Sequence, residues 1–134
     1  MAVTVGQLMT KAVRAIPHDA TLLQAAQRMG EWRVGSLLVE QSGKHVGILT
    51  ETDLVRRGIA RGLDAKKEKV SGVMSTPIIS IEHDRSPEDA CDMMKMNGIR
   101  HLAVTRTGKV VGLLSVRDLL VYFKGESEPR FGID

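Results

Sequence analysis

The chain repeats itself once, in register and without a gap. Residues 5–54 align with residues 70–119 at a constant offset of 65, and 16 of the 50 aligned pairs are identical. The best-matched block sets Val46-Gly47-Ile48-Leu49-Thr50-Glu51-Thr52-Asp53-Leu54 against Val111-Gly112-Leu113-Leu114-Ser115-Val116-Arg117-Asp118-Leu119. Whatever structure one copy adopts, the other has to adopt as well. A unit this short cannot bury its apolar face alone, so the halves are expected to pack on each other about a pseudo-twofold axis that creates equivalent clefts.

At 134 residues the chain can bury roughly two-thirds of its unfolded surface as one compact module. No apolar run approaches the ~20 residues of a membrane span. Met1-Ala2-Val3-Thr4-Val5 lacks the basic region and apolar core of a signal sequence, so a cytoplasmic protein without a membrane partner is expected. The single cysteine, Cys91, fits a reducing compartment; its counterpart Ala26 reads as part of a buried helix face, which gives Cys91 a structural place. A net charge of +3 suits an anionic ligand and is modest for a nucleic-acid binder. The densest basic stretch, Arg56, Arg57, Arg61, Lys66, Lys67 and Lys69, has no aromatic residue to stack on a base. It reads as a solvated helix face and linker, and no nucleic-acid partner is expected.

Local signals give each copy the same plan. Thr21-Leu22-Leu23-Gln24 is a capping-box start followed by Leu22, Ala25, Ala26 and Met29 at helical spacing, and Ser86-Pro87-Glu88-Asp89 opens the matching helix with a hydroxyl cap, proline and acids. Gly98 stops that helix. Short β-rich runs follow, Val34 to Val39 and Ile99 to Val104, then turns at Ser42-Gly43-Lys44 and Thr107-Gly108-Lys109, then second strands Val46 to Leu49 and Val110 to Leu114. A second helix begins near Thr50 or Ser115, and an extended piece, Val13 to Ile16 or Ile78 to Ile81, precedes the first. The fold class expected is α/β, two β-α-β-β-α repeats, each preceded by a leader ending in Met9-Thr10 or Met74-Ser75. Repeat 1 with its linker covers 1–68, repeat 2 covers 69–125, and 126–134 is a tail. In repeat 2, Val116, Leu119, Leu120, Val121, Tyr122 and Phe123 cover more than one helix face. With Met93, Met94 and Met96 nearby they suggest a homodimer interface; the alternative is that the tail, Glu126 to Asp134, folds over that face.

The chemistry of interest lies where the hairpins enter the second helices. A hydroxyl residue at a helix start, Thr50 or Ser115, stands among free N–H groups at the positive end of the dipole, where a phosphate oxygen is favoured. Asp53 and Asp118 project from the same first turn and could accept hydrogen bonds from a vicinal diol such as ribose. Gly47 and Gly112 leave a side-chain-free patch that a ligand or another backbone could approach. The same Thr/Ser-x-x-Asp arrangement can equally cap a helix with no ligand at all. His18 and His83 read as turn residues before a helix cap rather than metal ligands, His45 as a solvated turn residue, and Trp32 as either a packing anchor or a stacking platform. Nothing resembles a catalytic triad, a metal cluster or a paired-carboxylate site, so neither a catalytic nor a metal-binding residue is assigned.

Paired leader-β-α-β-β-α copies closed by Gly-x-x-Thr/Ser-x-x-Asp, with Gly98-Ile99-Arg100-His101-Leu102 in the second, resemble the tandem cystathionine-β-synthase (CBS) domain pair, or Bateman module. The likeness runs from about Val5 to Gly125 and leaves no room for an attached catalytic, channel or transporter domain, so it implies a stand-alone regulatory module and not an enzyme. It also implies sheet-to-sheet packing of the repeats and adenosine-containing ligands (AMP, ADP, ATP, S-adenosylmethionine, dinucleotides or cyclic dinucleotides) in the clefts between them, with or without magnesium and without a cofactor. One cleft would take Thr50 towards phosphate and Asp53 towards ribose, with adenine near Thr76, Pro77, Ile78 and Ile99 and with Arg100 and His101 at the phosphate end. The other would take Ser115 and Asp118, with a base slot from Thr10, Lys11, Ala12, Val13, Val34, Gly35 and Ser36 and with Lys11 and Arg117 as cations. Many members carry a Thr-Pro step in both repeats; here Thr76-Pro77 has it and Thr10-Lys11 does not. The cleft of Asp53, Arg100 and His101 is therefore expected to be the better anion site. Two functions follow as expectations: an energy- or metabolite-sensing module that signals to a regulated protein, or a structural dimerisation and interaction module that binds no ligand.

Overall fold

The structure, a computed structural model, describes residues 2–127. It divides into two compact units, a central one spanning Arg14–Ile78 and a terminal one made of Met1–Val13 with Ile79–Asp134. This differs from the 1–68 and 69–125 division that the repeat suggests, because the leaders are exchanged. The leader that precedes repeat 1 belongs to the body of repeat 2, and the leader of repeat 2 belongs to the body of repeat 1.

The central unit contains strand β1 (Ala15–Pro17), helix α2 (Leu22–Trp32), strands β2 (Ser36–Gln41) and β3 (Lys44–Thr50) and a helical segment α3 that starts at Glu51. The terminal unit contains a short leader helix α1 (Val5–Leu8), strand β4 (Ser80–Glu82), helix α4 (Pro87–Asn97), strands β5 (His101–Arg106) and β6 (Lys109–Ser115) and helix α5 (Val116–Ser127). Each unit has a three-stranded mixed sheet, ordered β1-β2-β3 or β4-β5-β6, with the first pair parallel and the second antiparallel. The α/β class and doubled plan expected from the sequence are those observed. Strand limits shift by up to two residues, since the hairpin ladders continue to their turns, where Ser42 and Gly43 (φ 53° and 76°) and Thr107 and Gly108 (φ 52° and 82°) take the left-handed conformations of a tight hairpin. His45 consequently lies on β3 opposite Glu40, half-buried, and not in the turn.

Thr21 and Gln24 form the capping box of α2, with Thr21 Oγ1 accepting from Gln24 N at 3.1 Å and Gln24 Oε1 accepting from Thr21 N at 2.9 Å. Ser86 caps α4 through Asp89 N at 3.0 Å, with Pro87 in the first turn. α4 ends on Gly98 in the left-handed region, and α2 ends on Arg33 in the same conformation. Leu22, Ala25 and Met29 of α2 face a core completed by Ile16, Leu37, Val39, Leu49, Val70 and Val73. Ala90 and Met94 of α4 face one completed by Val5, Ile81, Leu102, Val104, Leu114 and Leu119. Cys91 and its counterpart Ala26 lie one position off these stripes and are exposed, which corrects the buried place expected for the cysteine. Trp32 packs against the central core with the Arg14 guanidinium 4.7 Å from its ring centroid and that of Arg28 at 5.7 Å, so it is a packing anchor.

The second helices of the repeats diverge. α5 is regular, whereas α3 is α-helical only over Glu51–Asp53, widens to a π-helical stretch at Leu54–Gly58, tightens to a 3-10 turn at Ile59–Arg61 and ends on Gly62 with φ 75°. Gly58 stands where repeat 2 has Phe123, and a Cβ there would lie 3.1 Å from Leu22 Cδ1. The basic residues Arg56, Arg57, Arg61, Lys66, Lys67 and Lys69 are exposed on and after this segment. On α5, Leu119 is buried and Phe123 packs on the core, while Val116, Leu120 and Val121 are 38%, 49% and 62% exposed. Residues 128–134 of the tail lie outside the described residues, and with them the expectation that the tail covers this face. Among the described residues no helix is long and apolar enough to cross a membrane.

Each exchanged leader is tied to its unit by backbone pairs. Val5 and Gly6 donate to the carbonyls of Arg85 and His83, and Thr10 and Leu113 exchange N–H to O bonds of 2.8 and 3.1 Å. In the central unit Val70 and Ser71 donate to Ala20 and His18, and Ser75 and Ile48 exchange bonds of 2.8 and 3.0 Å. The repeat-equivalent histidines thus sit in the turns before the helix caps, where their carbonyls hold the leaders. The approach is close enough to forbid a side chain. A Cβ on Gly112 would lie 2.8 Å from Thr10 O, and one on Gly47 would lie 3.0 Å from Ser75 O and 2.6 Å from Met74 Sδ. The open patch left by these glycines is therefore filled by backbone. Gly47→Ala and Gly112→Ala should each destabilise the protein by about 1–3 kcal/mol in urea unfolding, as overpacking does. Gly30→Ala, in α2 with nothing within 4 Å of the added carbon, should instead stabilise it by about 0.5–1 kcal/mol.

Candidate functional site

At the head of α3, Thr50 and Asp53 cap the helix reciprocally. Thr50 Oγ1 accepts from Asp53 N at 3.1 Å and Asp53 Oδ2 accepts from Thr50 N at 3.0 Å. The leader adds a third partner, since Ser75 Oγ donates to Asp53 Oδ1 and Oδ2 at 3.1 and 3.2 Å. Arg57, one turn on, places Nη1 3.8 Å from Asp53 Oδ1 and donates to Met74 O at 3.2 Å. Asp53 is buried with 6% of its surface exposed, and both carboxylate oxygens are engaged.

The head of α5 repeats the first part only. Ser115 Oγ accepts from Asp118 N at 3.2 Å and Asp118 Oδ2 accepts from Ser115 N at 2.8 Å. The residue equivalent to Ser75 is Thr10, which pairs with Leu113 as Ser75 pairs with Ile48. Its side chain makes no hydrogen bond to Asp118, and the position of Arg57 is taken by Tyr122. Among the described residues, Asp118 Oδ1 accepts no hydrogen bond, and the half-buried side chain keeps one acceptor oxygen in hand.

The register decides which expected residues share a unit. Ser36 pairs with Thr50 and the Gly35 carbonyl accepts from Glu51 N at 3.0 Å, so Val34, Gly35 and Ser36 stand at the head of α3. His101 pairs with Ser115 and the Arg100 carbonyl accepts from Val116 N at 2.9 Å, which brings Ile99, Arg100 and His101 to the head of α5. Within the units, then, Thr50, Asp53, Thr76, Pro77 and Ile78 are gathered with the 34–36 run, and Thr10, Lys11, Ala12, Val13, Ser115, Arg117 and Asp118 with the 99–101 run. The leader pairing also moves the expected counterpart of Thr76-Pro77 from Thr10-Lys11 to Lys11-Ala12; neither terminal-unit step contains proline. The electrostatics of the two helix heads differ accordingly. Lys11, Arg100 and Arg117 are exposed cations of the terminal unit, whereas Glu51 and Asp53 set two acids against Arg57 in the central one.

Sequence reasoning missed Ser75 and Arg57. Ser75 was visible as the last residue of the leader, and Arg57 as the residue one helical turn after Asp53, but nothing local says that the two meet at one carboxylate.

Two copies of a three-stranded mixed sheet with flanking helices, each closed by a glycine, a hydroxyl cap and an aspartate, define a tandem-repeat module. The family model for the CBS domain matches residues 5–59 and 70–125, and the chain belongs to that family, with two CBS domains. It is 34% identical over 118 residues to the CBS domain-containing protein YhcV of Bacillus subtilis, covering 88% of this chain and 84% of YhcV. A candidate signal-transduction protein with CBS domains from Burkholderia ambifaria superposes with a TM-score of 0.90 at 25% identity, over 98% of this chain and 100% of that one. The hexameric CBS-CP12 protein of bloom-forming cyanobacteria superposes with a TM-score of 0.86 at 27% identity, over 99% of this chain and 79% of that one.

The unequal partners of the two aspartates predict unequal stability effects. Asp53→Ala strips Ser75 Oγ and Thr50 N of an acceptor at a buried site, leaves Arg57 without its ion-pair partner, and should cost about 1–3 kcal/mol. Asp118→Ala removes a helix-cap contact and should cost about 0.3–1 kcal/mol in the same denaturation assay.

Proposed function

We propose that this CBS protein is a regulatory module that binds an adenine nucleotide of the AMP, ADP or ATP type and passes the resulting change to a partner protein. The observation that carries the reading is the head of α5, where among the described residues Asp118 Oδ1 accepts no hydrogen bond, on a helix that follows the strand paired with His101 and in the same unit as Lys11 and Arg117. A ribose diol needs such an acceptor, a phosphate needs the neighbouring cations and the positive end of the helix, and this arrangement supplies both. The terminal unit is accordingly the preferred anion site in this reading. The weighting differs from the one expected from sequence, which set Arg100 and His101 against Asp53; what supports it is the β5–β6 register, in which His101 pairs with Ser115.

If the folded protein binds the nucleotide and the unfolded chain does not, ligand at a hundred times its dissociation constant stabilises by about 2.7 kcal/mol. At roughly 3–5 °C per kcal/mol for a domain of this size, AMP, ADP or ATP should raise Tm by several degrees. Asp118→Ala should remove most of the shift and Asp53→Ala less of it. A wild-type protein whose Tm ignores AMP, ADP, ATP, NAD, S-adenosylmethionine and cyclic dinucleotides would instead support the purely structural interaction module, for which the fully engaged Asp53 is the favouring observation.

The same reading includes self-association. Val116, Leu120 and Val121 of α5 and Met96 of α4, the last 84% exposed, leave apolar surface beyond what their own core uses. Light scattering at micromolar concentration should give the mass of a homodimer, and Leu120→Glu should give a monomer, since burying an unpaired carboxylate is costly.

A further inference from the structure

We infer that Ser75 is a lock on Asp53: it holds the central unit's carboxylate to the leader, so that a nucleotide's ribose can take Asp53 only when Ser75 lets go. The inference rests on the nucleotide-binding reading above and adds the order in which the two helix heads are used.

The lock is built from one side chain on each side and one that spans them. Ser75 Oγ lies 3.1 and 3.2 Å from the two oxygens of Asp53 and shares its one proton between them, and with 6% of Asp53 exposed a diol reaches the carboxylate only in its place. Arg57 reinforces it by reaching both Asp53 and the carbonyl of Met74, the residue before Ser75. The repeat supplies an internal control. Thr10 occupies the equivalent leader position and makes the equivalent backbone pair, yet its hydroxyl does not engage Asp118, and no arginine stands at the position equivalent to Arg57. Two helix heads of the same sequence motif therefore offer a ligand different starting points, one an open acceptor and the other an acceptor already committed to a hydroxyl and a guanidinium. A nucleotide fills the terminal unit first. At higher concentration it competes with Ser75 in the central unit, and success there releases a segment that runs within a few residues into the terminal unit, where the chain crosses at Ile78–Ile79.

Binding of AMP to the whole chain, measured by calorimetry, tests this with the wild type and with D118A, S75A/D118A and S75A/D53A/D118A. D118A should bind AMP weakly. Adding S75A should tighten binding at least roughly tenfold, the scale of a hydrogen bond to a charged group, and adding D53A should remove the gain. Ser75→Cys, which keeps the size of the side chain but donates only weakly, should reproduce the gain and replaces S75A if that variant fails to fold. A merely structural serine would not restore binding in the D118A background. S75A/D118A binding no more tightly than D118A, or a gain that survives D53A, overturns the lock while the wild type continues to bind. A wild type that binds no AMP overturns the nucleotide reading and the lock with it.

Discussion

Both units depend on a backbone pair that only glycine allows. Thr10 with Leu113 and Ser75 with Ile48 bring a leader flat against the last strand of a sheet, at a point where Gly112 or Gly47 has no Cβ to hold it off. Once the leader is there, Val5 or Val70 and Val73 reach the cores and are fully buried, at roughly 1.5–3 kcal/mol for each such side chain. The turn carbonyls of His18 and His83 and the start of each second helix are aligned by the same segment. Remove the close approach, and each core loses one wall and each helix head one edge.

Much of this was legible in the sequence because repetition supplies two readings of every signal. The cap at Thr21 is confirmed by the cap at Ser86, the stop at Gly98 marks the place where Arg33 adopts the same left-handed backbone, and the hairpin turns occur in parallel. What was not legible is everything decided by long-range pairing. The offset of the repeat says nothing about which leader joins which body, and it is that pairing that brings Ser75 to Asp53. Cys91 was misplaced for a local reason: Ala26 and Ala25 are indistinguishable by hydrophobicity, and a shift of one residue turns a helix position about 100° from core to solvent.

The paired motifs also show how little a motif fixes by itself. Thr50-x-x-Asp53 and Ser115-x-x-Asp118 have the same spacing, the same reciprocal cap and nearly the same distances. They differ in the hydrogen-bonding capacity that remains after the cap is made, and that remainder is set by two residues outside the motif. Ser75 and Arg57 draw on it in one unit, while in the other no described residue outside the cap does. A duplicated element can thus keep its fold in both copies and specialise in only one. The irregular course of α3 against the regular α5 is a further mark of such divergence.

The exchange of leaders has a consequence for how the protein is made. A ribosome delivers the chain from the N-terminus, and the whole of the central unit, Arg14–Ile78, has been delivered before the strands of the terminal unit exist. The central unit has its own core and can close early. Residues 2–13 cannot: Val5 has no wall to complete until β4 to β6 have emerged, and Thr10 has no partner until Leu113 is synthesised. Residues 2–13 thus precede the central unit in the chain yet find their place after it, and during that interval they are a segment whose partner strand does not yet exist.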